Sequence, residues 1–330
     1  MRARRRLDRV TLLALVDLGV LRPGTTEFEP RESDGRVVAC LRRLVGRVVV
    51  HGYAGLRPLQ RLLDETRPDL VFNLTQRDEH GDRSKDGHIC ALLELLGLPY
   101  TGATPRGLML GRDKALSKTL AAEAGFRVPR LFTLGPGDGV PAEPLLPAVI
   151  KPRYGDASEG ISQDSLVSTR AALVKRALLL RRQGFDELVC EEYIPGREMI
   201  VGVLGYRMVR PREFIVGRRG PGAPLLASER FKYDKAYRRR WGVRTAFPRL
   251  APGQEAALAE VTHRAALAFE MRDYGRLDVK LTPQGEWAFL EANPNPGLSP
   301  PRTSWSGPWN ALDYEQMIGD IVRWTLERGA

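Results

Sequence analysis

The sequence predicts a multidomain protein of mixed α/β and α+β class, and three observations lead to this prediction. The 330 residues exceed what one ordinary compact core accommodates, which favours two or three domains. With 43% hydrophobic and 28% charged residues, the chain can bury a sizeable core, which excludes a disordered or fibrous protein. Short apolar segments also alternate with segments of helical spacing, as is typical of strands joined by helices.

The N-terminal region, which we place at residues 1–105, predicts a small doubly wound α/β domain. Its predicted elements are strands at 10–16 and 47–50, a helix over 57–67, a strand at 69–73 and a helix over 87–96. Since strands alternate with helices, we expect them to pair in parallel. No GxGxxG motif follows the first strand, which disfavours a dinucleotide-binding domain.

Two α+β units follow, which we place at residues 106–190 and 191–330. The central unit has a predicted helix over 113–124, a strand over 148–152, a loop over 153–160, a helix over 170–182 and a strand over 187–192. The C-terminal unit has a strand over 199–204, a basic and aromatic insert at about 212–241, a helix over 254–271 and two strands around residues 283–285.

The charge of the chain favours an anionic partner. Lys and Arg number 51 against 40 acidic residues, which gives a net charge of +11. Because arginines are spread along the chain between acidic residues, we expect no nucleic-acid partner, which would need a concentrated basic surface. Only eight of the basic residues are lysine, so each lysine is a candidate for a specific role.

We expect neither a membrane span nor a disulfide framework. No uninterrupted apolar stretch approaches the roughly 20 residues that a bilayer span needs. Cys40, Cys90 and Cys190 are odd in number and lack CxxC spacing, which disfavours disulfides and a zinc site. The cysteine pattern fits a reducing compartment, so we predict a cytoplasmic protein.

The most informative pattern for a site lies in the two strands around residues 283–285. If they form a hairpin, Arg276 and Asp278 share one face, as do Glu291 and Asn293 on the next strand. Oxygen ligands of this type suit Mg²⁺, which normally keeps waters and substrate phosphates as further ligands. The alternative is a solvated strand face whose charges only pair with one another. The proline-rich loop after the second strand favours the metal site, because a rigid loop is typical of a site wall.

Two lysines at the ends of predicted elements are candidate phosphate ligands. Lys151 ends an apolar strand, and Gly155 and Gly160 bracket a following loop whose backbone N–H groups can cradle phosphate. Lys114 opens a helix, where the helix dipole already favours an anion. The alternative for either lysine is an ordinary solvated side chain.

Together these motifs resemble the ATP-grasp ligases and, within them, the D-alanine–D-alanine ligases. The matching segments run in family order over about two thirds of the chain: VFN at 71–73, LLELLGLPYTG at 92–102, DK at 113–114, VIKP at 149–152, EEYIPGRE at 191–198, RLD at 276–278 and LEAN at 290–293. The resemblance implies a three-domain ATP-grasp fold with ATP between the central and C-terminal α+β domains.

The resemblance also implies which residues bind ATP. Lys114 and Lys151 would hold the phosphates, Glu198 would hold the ribose, and backbone groups of a hinge at 191–194 would read the adenine. The implied ATP-binding residues are Lys114, Lys151, Glu191, Glu192, Tyr193, Ile194, Glu198 and Lys235.

The family's metal and catalytic positions match residues here as well. Asp278, Glu291 and Asn293 match the magnesium ligands, usually for two ions, which Mn²⁺ can replace. Carboxylate attack on a phosphoryl group needs charge neutralisation, and a tetrahedral intermediate needs an oxyanion partner. The implied catalytic residues are Arg276, Tyr237 and Ser158, and the implied substrate residues are Gly297 and Arg302.

The substrate side departs from the family. The N-terminal glycine-rich motif, whose glutamate receives the first amino acid's ammonium, has no clear counterpart, and Ala157 replaces one of the paired serines of the phosphate loop. The insert at about 212–241 corresponds to the family's lid, whose phosphate-contacting lysine aligns with Ala236, so Lys235 or Lys232 has to take its place. The family's serine that binds the carboxylate of the second D-alanine aligns near Arg302 of this chain. An arginine there can bind a carboxylate bidentately.

These departures favour an ATP-dependent carboxylate–amine ligase that forms a peptide or amide bond through an acyl phosphate. Its expected partners are small-molecule carboxylates and amines, and the family resemblance suggests a homodimer. The alternative is a D-alanine–D-alanine ligase of cell-wall biosynthesis whose N-terminal motif has diverged.

Overall fold

The computed structural model describes residues 7–17, 32–155, 158–218, 220, 222–223, 225–298 and 308–329. Within this part of the chain, the strands form three sheets, one parallel and two antiparallel. The predicted mixed α/β and α+β class is confirmed. None of the described helices is long and apolar enough to cross a bilayer.

The N-terminal sheet is parallel, with strand order β2-β1-β3. Its strands are β1 (Thr11–Asp17), β2 (Arg47–Tyr53) and β3 (Leu70–Asn73), and the helices of this region are α1 (Glu32–Leu44), α2 (Leu56–Thr66) and α3 (Asp86–Leu95). Successive residues of β1 enter two different cores, since Leu12 packs on one face and Leu13 on the other. Burial on both faces explains why this strand is an apolar run.

The central sheet is antiparallel, with strand order β4-β7-β5-β6. Its strands are β4 (Leu131–Leu134), β5 (Ala148–Pro152), β6 (Leu166–Val167) and β7 (Leu188–Glu192), and α6 (Arg170–Arg182) packs against it. Two helices precede it, α4 (Pro105–Arg112) and α5 (Lys114–Glu123). Asp113 separates them and caps α5, since its Oδ1 accepts from the backbone N–H of Ala115 at 2.9 Å.

The C-terminal sheet is antiparallel, with strand order β10-β9-β8-β11-β12. Its strands are β8 (Arg197–Leu204), β9 (Arg207–Val216), β10 (Val243–Ala246), β11 (Tyr274–Leu281) and β12 (Trp287–Asn293). The helices are α7 (Glu229–Tyr233), α8 (Lys235–Trp241), α9 (Pro252–Ala268) and α10 (Tyr314–Arg328). α9 packs on this sheet, whereas apolar residues of α10 join the core of the N-terminal sheet.

Candidate active site

A cleft with about 700 Å³ of empty space, part of it open to solvent, lies between the central and C-terminal sheets. Apolar residues of both sides, such as Val149, Ile161 and Leu290, form part of its wall. Many of the residues predicted from the sequence also line it: Lys151, Ser158, Glu191, Glu192, Tyr193, Ile194, Glu198, Asp278 and Glu291. The fold therefore brings segments far apart in the chain to one place.

Glu191, on β7, lies between two lysines. Its Oε2 is 2.8 Å from Nζ of Lys151, on the neighbouring strand β5, and its Oε1 is 2.8 Å from Nζ of Lys118, on α5. All three side chains are buried. Burial opposes ionisation of this carboxyl, but the two ammonium groups outweigh it and lower the pKa of Glu191 below its ordinary value.

Sequence reasoning missed Lys118. Its ammonium also donates to the backbone carbonyl of Leu290 at 2.7 Å and lies 5.4 Å from the ring centroid of Phe289. Burial lowers the pKa of Lys118 to about 8, although Glu191 opposes this shift. The scarcity of lysine was a signal that could have drawn attention to this residue.

The hinge at 191–194, which includes the last two residues of β7, is fixed through its backbone and its side chains. The N–H of Glu192 donates to the carbonyl of Arg130 at 2.8 Å, and the N–H of Tyr193 donates to that of Pro147 at 2.9 Å. The Glu192 carboxylate also pairs with the Arg130 guanidinium at 2.9 Å. Lys280, a second residue that sequence reasoning missed, donates to the Ile194 carbonyl at 3.0 Å.

Glu198, the second residue of β8, lines the cleft. In the antiparallel register it lies opposite Lys280 on β11. Burial raises the pKa of the Glu198 carboxyl above its ordinary value, and Asp278 and Glu291 add to this effect, whereas Lys280 and Lys232 oppose it. The carboxylates of three strands therefore meet in one cleft.

The predicted oxygen cluster forms between β11 and β12. Asp278 pairs in register with Glu291, and Arg276 pairs with Asn293. Nε of Arg276 lies 2.8 Å from Oδ1 of Asp278, and Nδ2 of Asn293 donates to Oε1 of Glu291 at 3.1 Å. The ladder shifts register after Asp278, and such a bulge locally changes where side chains point. The predicted hairpin, with both pairs on one face, is confirmed.

The chemistry of this cluster fits a divalent cation with few protein ligands. Burial and the neighbouring charge of Glu291 raise the pKa of Asp278, although Arg276 opposes the shift, so a cation here would relieve repulsion between the two carboxylates. Asn293 adds an amide oxygen. The described residues contain no cluster of three His, Cys, Asp or Glu side chains suited to a metal, so waters and phosphates would have to complete the shell, as Mg²⁺ prefers.

The loop after β5 contacts the segment that precedes α7. Oγ of Ser158 donates to the carbonyl of Ala227 at 3.2 Å, and Nε2 of Gln163 donates to that of Leu226 at 2.8 Å. Nζ of Lys114 donates to the carbonyl of Gly155 at 3.0 Å, so this lysine lies at the base of the loop and does not line the cleft. The loop and the predicted lid therefore already touch across the cleft.

The remaining predicted residues lie at the margin of the cleft or beyond it. Lys232 lines the cleft, whereas Lys235 and Tyr237 on α8 do not. Tyr237 packs edge-on against Trp241, with ring centroids 6.5 Å apart. The carbonyl of Gly297 accepts from Nε1 of Trp309 at 3.1 Å. Arg302 lies outside the described residues.

Comparison with known proteins gives related sequences. A family model described as "D-ala D-ala ligase C-terminus" matches residues 139–323. An uncharacterized protein, y4sG, of Sinorhizobium fredii is 33% identical over 233 residues, 70% of this chain and 66% of that protein. A D-alanine–D-alanine ligase of Aromatoleum aromaticum is 32% identical over 273 residues, 81% of each chain.

Solved structures agree with this result at the level of the fold. The crystal structure of a D-alanine–D-alanine ligase from Bacillus anthracis, complexed with ATP, superposes with a TM-score of 0.72. It covers 97% of this chain and 98% of its own at 18% identity. The chain therefore belongs to the D-alanine–D-alanine ligase family, has the ATP-grasp fold, and is an ATP-dependent, ADP-forming ligase of the carbon–nitrogen class.

Proposed function

We propose that the protein joins the carboxylate of one small molecule, an amino acid or a related metabolite, to the amine of another in a peptide or amide bond. The observation that carries this proposal is that Asp278 and Glu291 line the same cleft as the Lys151 and Glu191 pair, with Arg276 and Asn293 beside them in the hairpin. Phosphoryl transfer to a carboxylate needs cations around the phosphates and an oxygen cluster for metal, and this cleft offers both.

In this proposal ATP lies in the cleft, with its base at residues 191–194, its ribose at Glu198 and its phosphates at the lysines. The hinge from Glu191 to Ile194 reads the base, and Glu198 binds the ribose hydroxyls. Lys151 binds the phosphates from the wall of the cleft, and Lys114 would bind them from the base of the loop after β5, where its Nζ donates to the Gly155 carbonyl. We assign the remaining phosphate contact to Lys232, because it lines the cleft and Lys235 does not.

Asp278, Glu291 and Asn293 would hold two Mg²⁺ ions, with Mn²⁺ as a substitute. When bound, the metal neutralises charge on the phosphates. Three predicted catalytic residues of this chain then support the transfer. Arg276 neutralises the oxyanion that develops at the acyl carbon, and the Ser158 loop, together with Tyr237 on α8 beyond the cleft lining, would close the cleft against water.

The reaction has two steps. A carboxylate oxygen of the first substrate attacks the γ-phosphorus of ATP, and ADP leaves as the acyl phosphate forms. The amine of the second substrate then attacks the acyl carbon, the carbon–oxygen bond to phosphate breaks, and inorganic phosphate leaves with the amide as product. A guanidinium such as Arg276 stabilises both the carboxylate being phosphorylated and the tetrahedral intermediate.

An ADP-release screen tests the proposal. Purified protein with Mg²⁺ and ATP is supplied with amino acids, dipeptides and carboxylic acids, singly and in pairs, and products are identified by mass. We expect ADP and phosphate release that requires Mg²⁺, a carboxylate and an amine together. Absence of turnover with every pair, combined with absence of ATP binding, would refute the proposal.

The second candidate is D-alanine–D-alanine ligation, the activity for which the related Aromatoleum aromaticum and Bacillus anthracis proteins are named. D-Alanine alone should then support turnover and yield the dipeptide. No release above background with D-alanine, in a preparation that turns over with another pair, excludes this candidate. A cytoplasmic homodimer remains our prediction, and light scattering of the purified chain tests its mass.

A further inference from the structure

Lys280 is a buried lysine in the base-binding part of the cleft to which the proposed reaction gives no role. Its side chain is only 4% exposed, although an ammonium normally stays in water. It follows Asp278 by two residues on β11, so both side chains point to the cleft. Because burial of an ammonium costs solvation free energy, we expect polar or charged neighbours that compensate it.

Two features of the hinge are in contact with this ammonium. Nζ of Lys280 donates to the backbone carbonyl of Ile194 at 3.0 Å. The same nitrogen lies 4.7 Å from the ring centroid of Tyr193, within the range of a cation–π contact. Lys280 therefore connects the hinge to the C-terminal sheet and fixes the direction of a carbonyl next to the proposed adenine contacts.

The third partner is Glu198, which lies directly opposite Lys280 on β8. Residues paired in an antiparallel register have adjacent side chains on one face. Lys280 and Lys232 attract the Glu198 carboxylate and oppose the rise of its pKa, while Asp278 and Glu291 repel it. Without Lys280 this carboxylate would lose one of the two lysines that attract it and would still face the two carboxylates.

We propose that Lys280 is a positioning residue for the nucleotide, which holds the Ile194 carbonyl and the Glu198 carboxylate in the places from which the hinge and the ribose hydroxyls are bound. The inference rests on the proposed role of Glu198 in ribose binding. Lys280 acts through these two groups, so its removal should weaken recognition of the ribose more than binding of the phosphates.

Calorimetry with two nucleotides measures this effect without knowledge of the substrates. The full chain is titrated with Mg-ATP and with Mg-2′,3′-dideoxy-ATP, which lacks both ribose hydroxyls. A hydrogen bond to a charged group predicts that the wild type binds ATP about ten-fold or more tighter than the dideoxy nucleotide. In Lys280→Met we expect this ratio to fall to about two or below, with dideoxy-ATP binding changed by less than about three-fold.

Matched variants separate a positioning role from a general structural one. Lys280→Gln keeps a donor for the Ile194 carbonyl and removes the charge, so its preference for ATP over dideoxy-ATP should also fall to about two-fold or below. This variant replaces Lys280→Met if that protein does not fold. Lys280→Arg keeps the charge and should restore the ratio to within about three-fold of wild type. Glu198→Gln should reproduce the loss, and Lys175→Met, on the exposed face of α6, should leave both affinities unchanged.

The outcomes distinguish this inference from the function on which it rests. A wild-type ratio that persists in both Lys280→Met and Lys280→Gln overturns the inference and leaves the ligase assignment intact. A wild type that binds both nucleotides equally overturns it as well, because Glu198 then does not read the ribose. Failure of the wild type to bind Mg-ATP at all refutes the proposed nucleotide site itself.

Discussion

Replacement of Glu191 by glutamine should destabilise the protein strongly, because it leaves two lysines facing each other inside the molecule. Glu191 is 4% exposed, and both of its oxygens lie 2.8 Å from a buried ammonium. Removal of one partner of a buried ion pair costs about 3–5 kcal/mol, and the glutamine oxygen retains one acceptor. We therefore expect the free energy of unfolding to fall by about 3 kcal/mol. In a cooperative unit of about 150–250 residues this lowers Tm by roughly 6–12 °C.

Differential scanning fluorimetry at pH 7 measures this loss, with Glu187→Gln as the matched control. Glu187 precedes β7 and pairs with Arg153 at 3.2 Å, but its side chain is 39% exposed, so solvent screens the pair. Its loss should cost less than about 1 kcal/mol. The double variant Glu191→Gln with Lys118→Met removes one of the two opposed lysines and should recover part of the loss. A Tm change below about 2 °C in Glu191→Gln would contradict the buried triad.

Three further predictions follow from the same cleft. The folded-state pKa of Lys118, about 8, lies below its unfolded value, so the unfolded chain binds more protons at pH values between the two. The free energy of unfolding of the wild type, relative to that of Lys118→Met, should therefore rise by up to about 1.4 kcal/mol for each pH unit between about pH 8 and about pH 10. Measurement of Tm against pH for both proteins tests this. Asp278→Asn should lower Mg²⁺-dependent ADP release by about 10²–10³-fold and leave metal-free nucleotide binding within about three-fold, and release within ten-fold of wild type would contradict its role. Lys232→Ala should raise KM for ATP about ten-fold or more while Lys235→Ala changes it less than two-fold; the reverse order in steady-state ADP release would return the phosphate contact to Lys235.

Elements that carry a strong local pattern were predictable from the sequence. The run that forms β1 is apolar because both faces of the strand are buried. The C-terminal end of β5 was recognisable from Lys151 and Pro152, its last two residues. The helix over 254–271 was predicted too long by three residues, because Glu270 adopts a left-handed backbone conformation with φ of 49° just after α9 ends.

Elements that depend on long-range packing were missed. β6 has only two residues and exists because it pairs with β5. α10 buries residues against α1, which starts 282 positions earlier in the chain (Glu32 against Tyr314), so no local window reveals its role in the N-terminal core. Short strands and distant helix contacts leave little trace in local periodicity, and sequence reasoning therefore described the strands of the site better than the scaffold around them.

The site shows the same division between local and distant information. Period-two alternation was enough to place Arg276 and Asp278 on one face, and the hairpin then brought Glu291 and Asn293 beside them. Lys280 follows the same alternation but was missed, because its partners lie on β8 and in the hinge, so its role required the register of a third strand. Arg302 was predicted from the resemblance alone and lies outside the described residues.

The arrangement around Glu191 also explains how Lys151 can serve a phosphate. A lysine whose only partner is a buried carboxylate could not turn towards a ligand without leaving that carboxylate uncompensated, at a cost of several kcal/mol. Here Glu191 has Lys118 on its other oxygen, and Lys118 is itself fixed by the Leu290 carbonyl at the edge of the metal cluster. Lys151 can therefore exchange Glu191 for a phosphate while the buried charge stays paired. On this reasoning Lys118→Met should weaken Mg-ATP binding even though its ammonium bonds to Glu191 and Leu290 and is not among the residues that line the cleft.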